Sequence, residues 1–229
     1  MMTPLAIALL LGVTVWWLVV QRLRDKPWTV QGVIPGSQDS FTSSAPKVGL
    51  WVFLGMVASL FLIFAMAYVM RMDHGHSPLQ EWQPLSEPAV LWLNTVVLVI
   101  ASSMLQIAQT RATRDDLAGT KIYFSAGGIL TVVFLLGQAL AWWQLAALGN
   151  YDHTNPAYSF FVLLTAVHGL HLIGGLVVLG RTAARLWHGV NKASVVQVAA
   201  VRQSVTLCTI YWHFLLLVWL GLFVLLLST

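Results

Sequence analysis

Charge is what this chain has least of. Only 9% of its 229 residues are Asp, Glu, Lys or Arg, with eight acids against twelve bases. That is about a third of the charged share of an ordinary soluble domain. A soluble core cannot absorb a composition that is 58% hydrophobic with a mean hydropathy of +0.78, so an integral membrane protein is expected. Cysteine is scarcer still: Cys208 is the only one and lies inside an apolar run. One cysteine excludes an intrachain disulfide framework and any thiolate zinc cluster. The net charge of +4 would hint at nucleic acid in a soluble protein, but here it has a membrane explanation and no nucleic-acid partner is expected.

Six apolar runs are long enough to cross a bilayer, at about 4–21, 48–70, 89–110, 122–147, 157–180 and 204–227. They are continuous rather than alternating, and lipid offers backbone groups no partner, so helices are expected rather than a barrel. The fold class is therefore all-α, a polytopic transmembrane bundle of six helices. Eleven of the twelve basic residues fall on alternate joins, all on one side: Arg22, Arg24, Lys26, Lys47, Arg111, Arg114, Lys121, Arg181, Arg185, Lys192 and Arg202. Arg71 alone falls on the other. This positive-inside split makes the basic side cytoplasmic and puts both termini outside. The first run lacks a positive leader and a small-residue cleavage site, and its charges follow it, so it reads as a retained helix. The organisation expected is an N-terminal helix over 1–22, a cytoplasmic linker rich in Pro, Gly, Ser and Thr over 23–46, and a five-helix bundle over 47–229.

No Asp, Glu, Lys or Arg lies inside any of these runs. Proton relays and ion pathways usually use such residues. The strongly titratable side chains left at membrane depth are His168, His171 and His213. Gly169, Gly174 and Gly175 share a helix with the first two, and Gly175 falls seven residues after His168, so the histidine face is expected to be a packed one. Three readings of the histidines stand open. His171 and His213 on facing helices could hold a haem, whereas His168 and His171 are one turn apart and cannot bracket one iron. Three histidines could bind zinc or copper. Or each imidazole bonds a carbonyl, a hydroxyl or a headgroup and fixes helix packing, which is the reading favoured, with no catalytic, cofactor or metal residue in the chain.

Three motifs carry a resemblance. Phe160, Phe161, Leu163, Thr165, His168, Gly169, Leu170, His171 and Gly175 form one. Tyr211, Trp212, His213, Phe214, Val218 and Trp219 form the second, and Lys47, Gly49, Trp51, Phe53 and Leu54 the third. Over residues 47–228 the chain resembles subunit III of the haem–copper terminal oxidases, the cytochrome c oxidase subunit 3 family, as a divergent short member.

The resemblance implies a non-catalytic accessory subunit in a bacterial inner membrane. It would pack against the catalytic subunit I, with subunit II as a further partner, and hold phospholipid. Haem and copper would belong to the partner subunits of a complex that reduces oxygen and pumps protons. Trp51, His168, His171, Tyr211, Trp212, His213 and Trp219 are the residues it marks for structural, lipid or subunit contact. An accessory subunit of a quinol oxidase or of a nitric oxide reductase system is the nearest alternative, and a stand-alone haem-b cytochrome a more distant one. The family commonly carries a glutamate where Val57 stands and an aspartate where Leu216 stands, so roles of those acids do not transfer. Usual members have seven helices, or five when the first two are lacking; this chain has the five-helix core plus one.

Overall fold

The computed structural model describes residues 38–74, 89–147, 156–188 and 195–227, in helices throughout except for the tight turn at 114–116. The chain divides into two units, Met1–Thr42 and Ser43–Thr229, and the second holds the bundle. The first apolar run, 4–21, and most of the expected linker lie outside the described residues. Five helices remain: α1 (Gln38–His74), α2 (Ala89–Thr113), α3 (Leu117–Ala147), α4 (Pro156–His188) and α5 (Val195–Leu227). Each contains a span long and apolar enough to cross a membrane. The all-helical, multi-pass class expected from the sequence holds for these residues.

Helix ends run past the apolar runs. α1 starts at Gln38 rather than near 48 and carries Pro46 inside it, and α3 and α5 start five and nine residues earlier than expected. Hydropathy marks where the chain leaves hydrocarbon, whereas the backbone hydrogen-bond ladder continues into the interfacial layer.

Four helices form a ring. α2 packs on α3 and α5, and α4 packs on the same two. α1 leans on the seam between α4 and α5: Phe61 meets the rings of His168 and His171, Tyr68 meets Phe160, and Phe53 meets Tyr211. Val57, Phe61 and Tyr68 close that contact with Leu164 and Leu222. The α1 contacts run antiparallel to α4, so Lys47 lies at the same end as Arg181 and Arg185.

That end is built around the α2–α3 turn. Asp115 adopts a positive φ of 60°, a conformation Asp tolerates better than most residues. Asp116 then caps α3, its Oδ1 accepting from the Gly119 N–H at 2.9 Å. Its other oxygen pairs with Arg111 at 2.9 Å, and Asp115 pairs with Arg202 of α5. These bonds, first the Gly119 N–H and then the Arg111 guanidinium, hold the Asp116 carboxyl below the usual carboxylate range. Lys121 stacks over the Trp187 ring and Arg111 over Tyr123. Of the basic residues that the sequence assigned to alternate joins, the described ones, Lys47, Arg111, Arg114, Lys121, Arg181, Arg185 and Arg202, thus gather at one end of the bundle.

Candidate functional site

The bundle is pinned by tryptophan–threonine pairs. Trp142 Nε1 donates to Thr165 Oγ1 at 2.9 Å, joining α3 to α4. Trp212 Nε1 donates to Thr131 Oγ1 at 2.9 Å, joining α5 to α3. Trp219 Nε1 donates to Thr95 Oγ1 at 3.0 Å, joining α5 to α2. The hydroxyls of Thr165, Thr131 and Thr95 donate to the carbonyls four residues back, those of Phe161, Gly127 and Leu91, which leaves each oxygen free to accept from the indole. The logic is local: a Thr in a helix satisfies its proton within its own turn, and a buried indole N–H must find an acceptor.

The fourth contact joins α5 to α4. Tyr211 donates its hydroxyl proton to the carbonyl of His171 at 2.8 Å. Gly175 makes this approach possible, since a Cβ there would stand 2.5 Å from Tyr211 Cε1 and 2.8 Å from two Trp212 ring carbons. Gly174 differs: a Cβ there would meet nothing within 4 Å. The two adjacent glycines therefore do different jobs, one as a close-approach point and one on the outer surface.

His168 sits at the centre of this frame, 1% exposed. Its ring lies 5.3 Å from Trp219, 6.0 Å from Phe134 and 6.3 Å from Phe61, centroid to centroid. Phe134 and Trp219 in turn meet edge to face at 4.9 Å. Neither ring nitrogen of His168 has a hydrogen-bond partner in the protein. The expectation that every imidazole bonds a carbonyl or hydroxyl is therefore corrected here: the site is lined by rings, and His168 acts by shape. Two amides share its surroundings. Gln138 lies between Phe134, which meets His168, and Trp142, which bonds Thr165. Across α2, Asn94 lies against Gly137, where a Cβ would fall 2.0 Å from Asn94 Oδ1. Asn94 Nδ2 and both polar atoms of the Gln138 side chain are buried with no protein partner. Only the helix register brings these two amides near the rings around His168.

The other two histidines are bonded and point elsewhere. His171 Nδ1 lies 2.7 Å from the Val167 carbonyl, and since a carbonyl only accepts, Nδ1 carries the proton. Its ring faces Phe61 at 5.6 Å. His213 faces outward between α5 and α2, with Nε2 2.8 Å from Gln106 Oε1 and Nδ1 against Ser102 Oγ. With the Gln106 oxygen as acceptor, Nε2 holds the proton and Nδ1 accepts from the serine. His171 and His213 thus engage different neighbours and do not converge on one centre. Among the described residues, no three His, Cys, Asp or Glu side chains come together.

The remaining marked residues separate in the same way. Tyr211, Trp212 and Trp219 belong to the pinned core, with Trp212 and Trp219 fully buried. Trp51 stands 61% exposed on α1, away from it. Val57, where relatives are expected to carry an acid, is buried among Phe61, Tyr68, Leu164 and Leu222, so that position is closed by apolar contacts. Leu216 is half-buried against the main core.

No family model matches the chain. Curated relatives do. A Corynebacterium diphtheriae protein named "Cytochrome c oxidase subunit 3" is 29% identical over 181 residues, covering 78% of this chain and 85% of its own length. A protein of the same name from Thermostichus vulcanus is 29% identical over 184 residues, with 78% and 85% covered. The Nocardia farcinica protein described as "Probable cytochrome c oxidase subunit 3" is 30% identical over 183 residues, with 77% and 84% covered. Similarity of that length, together with a helical core in which the motif residues His168, Tyr211, Trp212 and Trp219 hold the helices together, places the chain in the cytochrome c oxidase subunit 3 family.

Proposed function

We propose that the chain is the accessory third subunit of a respiratory haem–copper oxidase, without a redox centre of its own. The observation that carries this reading is the likeness to subunit 3 proteins across most of both chains. The geometry supports it. His168 is enclosed by rings, His171 bonds its own helix, and His213 bonds two side chains of α2, so the histidines serve helix packing. The electron donor, the haems and the copper belong to partner chains, and this subunit packs against the catalytic one.

In this reading the outer apolar surface takes phospholipid, and the basic end with Arg111, Lys121 and Arg202 faces the cytoplasm of a bacterial inner membrane. Both termini are then outside. The pinned core gives the subunit a rigid face to present, which is how a chain without chemistry stabilises its neighbour.

Affinity purification of the full-length chain from its native membrane tests this. Co-purification with a haem-containing subunit is expected, and the chain separated from it has no Soret absorption. A stoichiometric haem signal in the separated chain would overturn the accessory reading. Identifying the co-purified chains also distinguishes a cytochrome c oxidase from a quinol oxidase.

A further inference from the structure

His213 and Gln106 face outward with Ser102 buried behind them, and this triad takes no part in the tryptophan–threonine pairs. His213 stands at the midpoint of the 30-residue span Val198–Leu227, and Ser102 at the midpoint of Ala89–Thr113. Both His213 and Gln106 are exposed. Among the residues whose side chains the structure describes, no other amide or imidazole is exposed. The outer face of α3 makes the contrast: from Ile122 to Trp143 every exposed residue is apolar, as lipid contact requires.

A polar group at mid-membrane depth that faces outward is costly against acyl chains. The hydrocarbon core is about 30 Å thick, so headgroups lie about 15 Å from His213. The Gln106 backbone stands about 7.5 Å from Arg111, but its amide is drawn back to the level of His213 by the bond between them, away from the headgroups. A protein partner can reach it there. The bonding within the triad also says what it must offer. His213 uses both ring nitrogens, and Gln106 spends its carbonyl oxygen on His213. The group left facing outward is the Gln106 amide nitrogen, a pair of N–H donors. Leu217, one turn along α5, is 69% exposed. One turn further is Gly221, where a Cβ would meet nothing within 4 Å. A polar contact beside a small-residue notch is the pattern of helix–helix association in membranes.

We infer that the α2–α5 face around Gln106, His213, Leu217 and Gly221 docks a transmembrane helix of another oxidase subunit, one that presents a hydrogen-bond acceptor at mid-membrane depth. The inference rests on the reading of the chain as an oxidase subunit. The acceptor is a carboxylate, an amide carbonyl or a hydroxyl, and it closes the donor pair of Gln106.

Photo-crosslinking in the intact purified oxidase tests it, with p-benzoylphenylalanine at position 217 and, for comparison, at the lipid-type position 136. Position 217 is expected to crosslink to another oxidase subunit and position 136 to lipid. Gln106→Leu should lower the 217 crosslink yield and the chain's retention in the complex by about 3- to 20-fold, the range of one interhelical hydrogen bond in a membrane. If Gln106→Leu prevents accumulation of the chain, Gln106→Asn, which keeps the donor pair on a shorter arm, is measured instead and should show a partial loss. Crosslinks from 217 to lipid only, to residues 1–37 of this chain, to a second copy, or equally from 136 to the same subunit would overturn the inference. Failure of the chain to purify with any haem-containing subunit would instead sink the oxidase reading on which it rests.

Discussion

Gly175→Ala is expected to loosen the α4–α5 contact, whereas Gly174→Ala, one residue away, is expected to do nothing adverse. The added methyl at 175 would stand 2.5 Å from Tyr211 Cε1 and 2.8 Å from Trp212 Cη2 and Cζ3. Carbon atoms settle at about 3.5–4.0 Å, so roughly 1 Å must be found. Neither ring can swing away freely. The Tyr211 hydroxyl is tied to the His171 carbonyl at 2.8 Å and the Trp212 indole to Thr131 at 2.9 Å. Relief therefore means moving a helix or breaking a bond. Overpacking of this kind costs about 1–3 kcal/mol, and the better helix propensity of Ala offsets up to about 1 kcal/mol. With that offset taken in full the net cost is up to about 2 kcal/mol, so at about 1.4 kcal/mol per tenfold the folded-to-unfolded ratio should fall by up to about thirtyfold. The assay is thermal or denaturant unfolding of the detergent-solubilised chain followed by circular dichroism. Gly174→Ala controls for the propensity change, since its methyl meets no atom within 4 Å. In a double-mutant cycle, Gly175→Ala should cost less in a Trp212→Leu background than in the native chain, because the second change removes two of the three clashing atoms. Equal behaviour of the two alanine variants would refute the close-approach argument.

Other outcomes derive from the same geometry. Trp212→Phe keeps a ring but deletes the indole donor, leaving Thr131 Oγ1 without its interhelical partner; a loss of about 0.6–1.7 kcal/mol is expected in the same unfolding assay. His168→Phe should be tolerated within about 1 kcal/mol, because the ring contacts are kept and two unpartnered nitrogens are removed from a buried site. A larger loss would mean that the imidazole has a polar partner in the membrane. At the α2–α3 turn the Asp116 carboxyl is held below its ordinary range, so its contribution is complete above about pH 4 and is lost only as pH falls through the lowered value. Amide exchange at Gly119 should therefore stay slow through neutral and mildly acidic pH and speed up on strong acidification, and Asp116→Asn should weaken that dependence.

How much of this was legible in sequence differs by level. The apolar runs of α2 to α5 marked the spans because lipid filters composition strongly, and the alternate placement of Arg111, Lys121, Arg181 and Arg202 marked the shared end. Helix starts did not show, since residues 38–47 leave the hydrocarbon while the backbone ladder continues. The motif tryptophans Trp212 and Trp219 were visible, but their threonine partners Thr131 and Thr95 were not: they lie 81 and 124 residues away, and only packing pairs them. Thr165 was a motif position whose partner, Trp142, was not. The direction of His213 was not legible either. Spacing along a helix tells which residues share a face, and it does not tell whether that face looks inward. His168 and His213 looked alike in sequence, yet one is sealed among rings and the other looks out.

The gathering of charge at the bundle ends has an electrical consequence. A transmembrane potential does work only on charge that moves through the field, about 2.3 kcal/mol per elementary charge per 100 mV for a full crossing. In the described spans Lys47, Arg111, Lys121, Arg181, Arg185 and Arg202 lie toward one end and Arg71 toward the other, with no acid between them. Among the described residues, the stretch where the voltage falls holds no Asp, Glu, Lys or Arg. Shifts of the helices against one another therefore carry almost no gating charge. In an energised membrane the described bundle thus offers the potential almost no charge to act on, and its packing is set by contacts rather than by voltage.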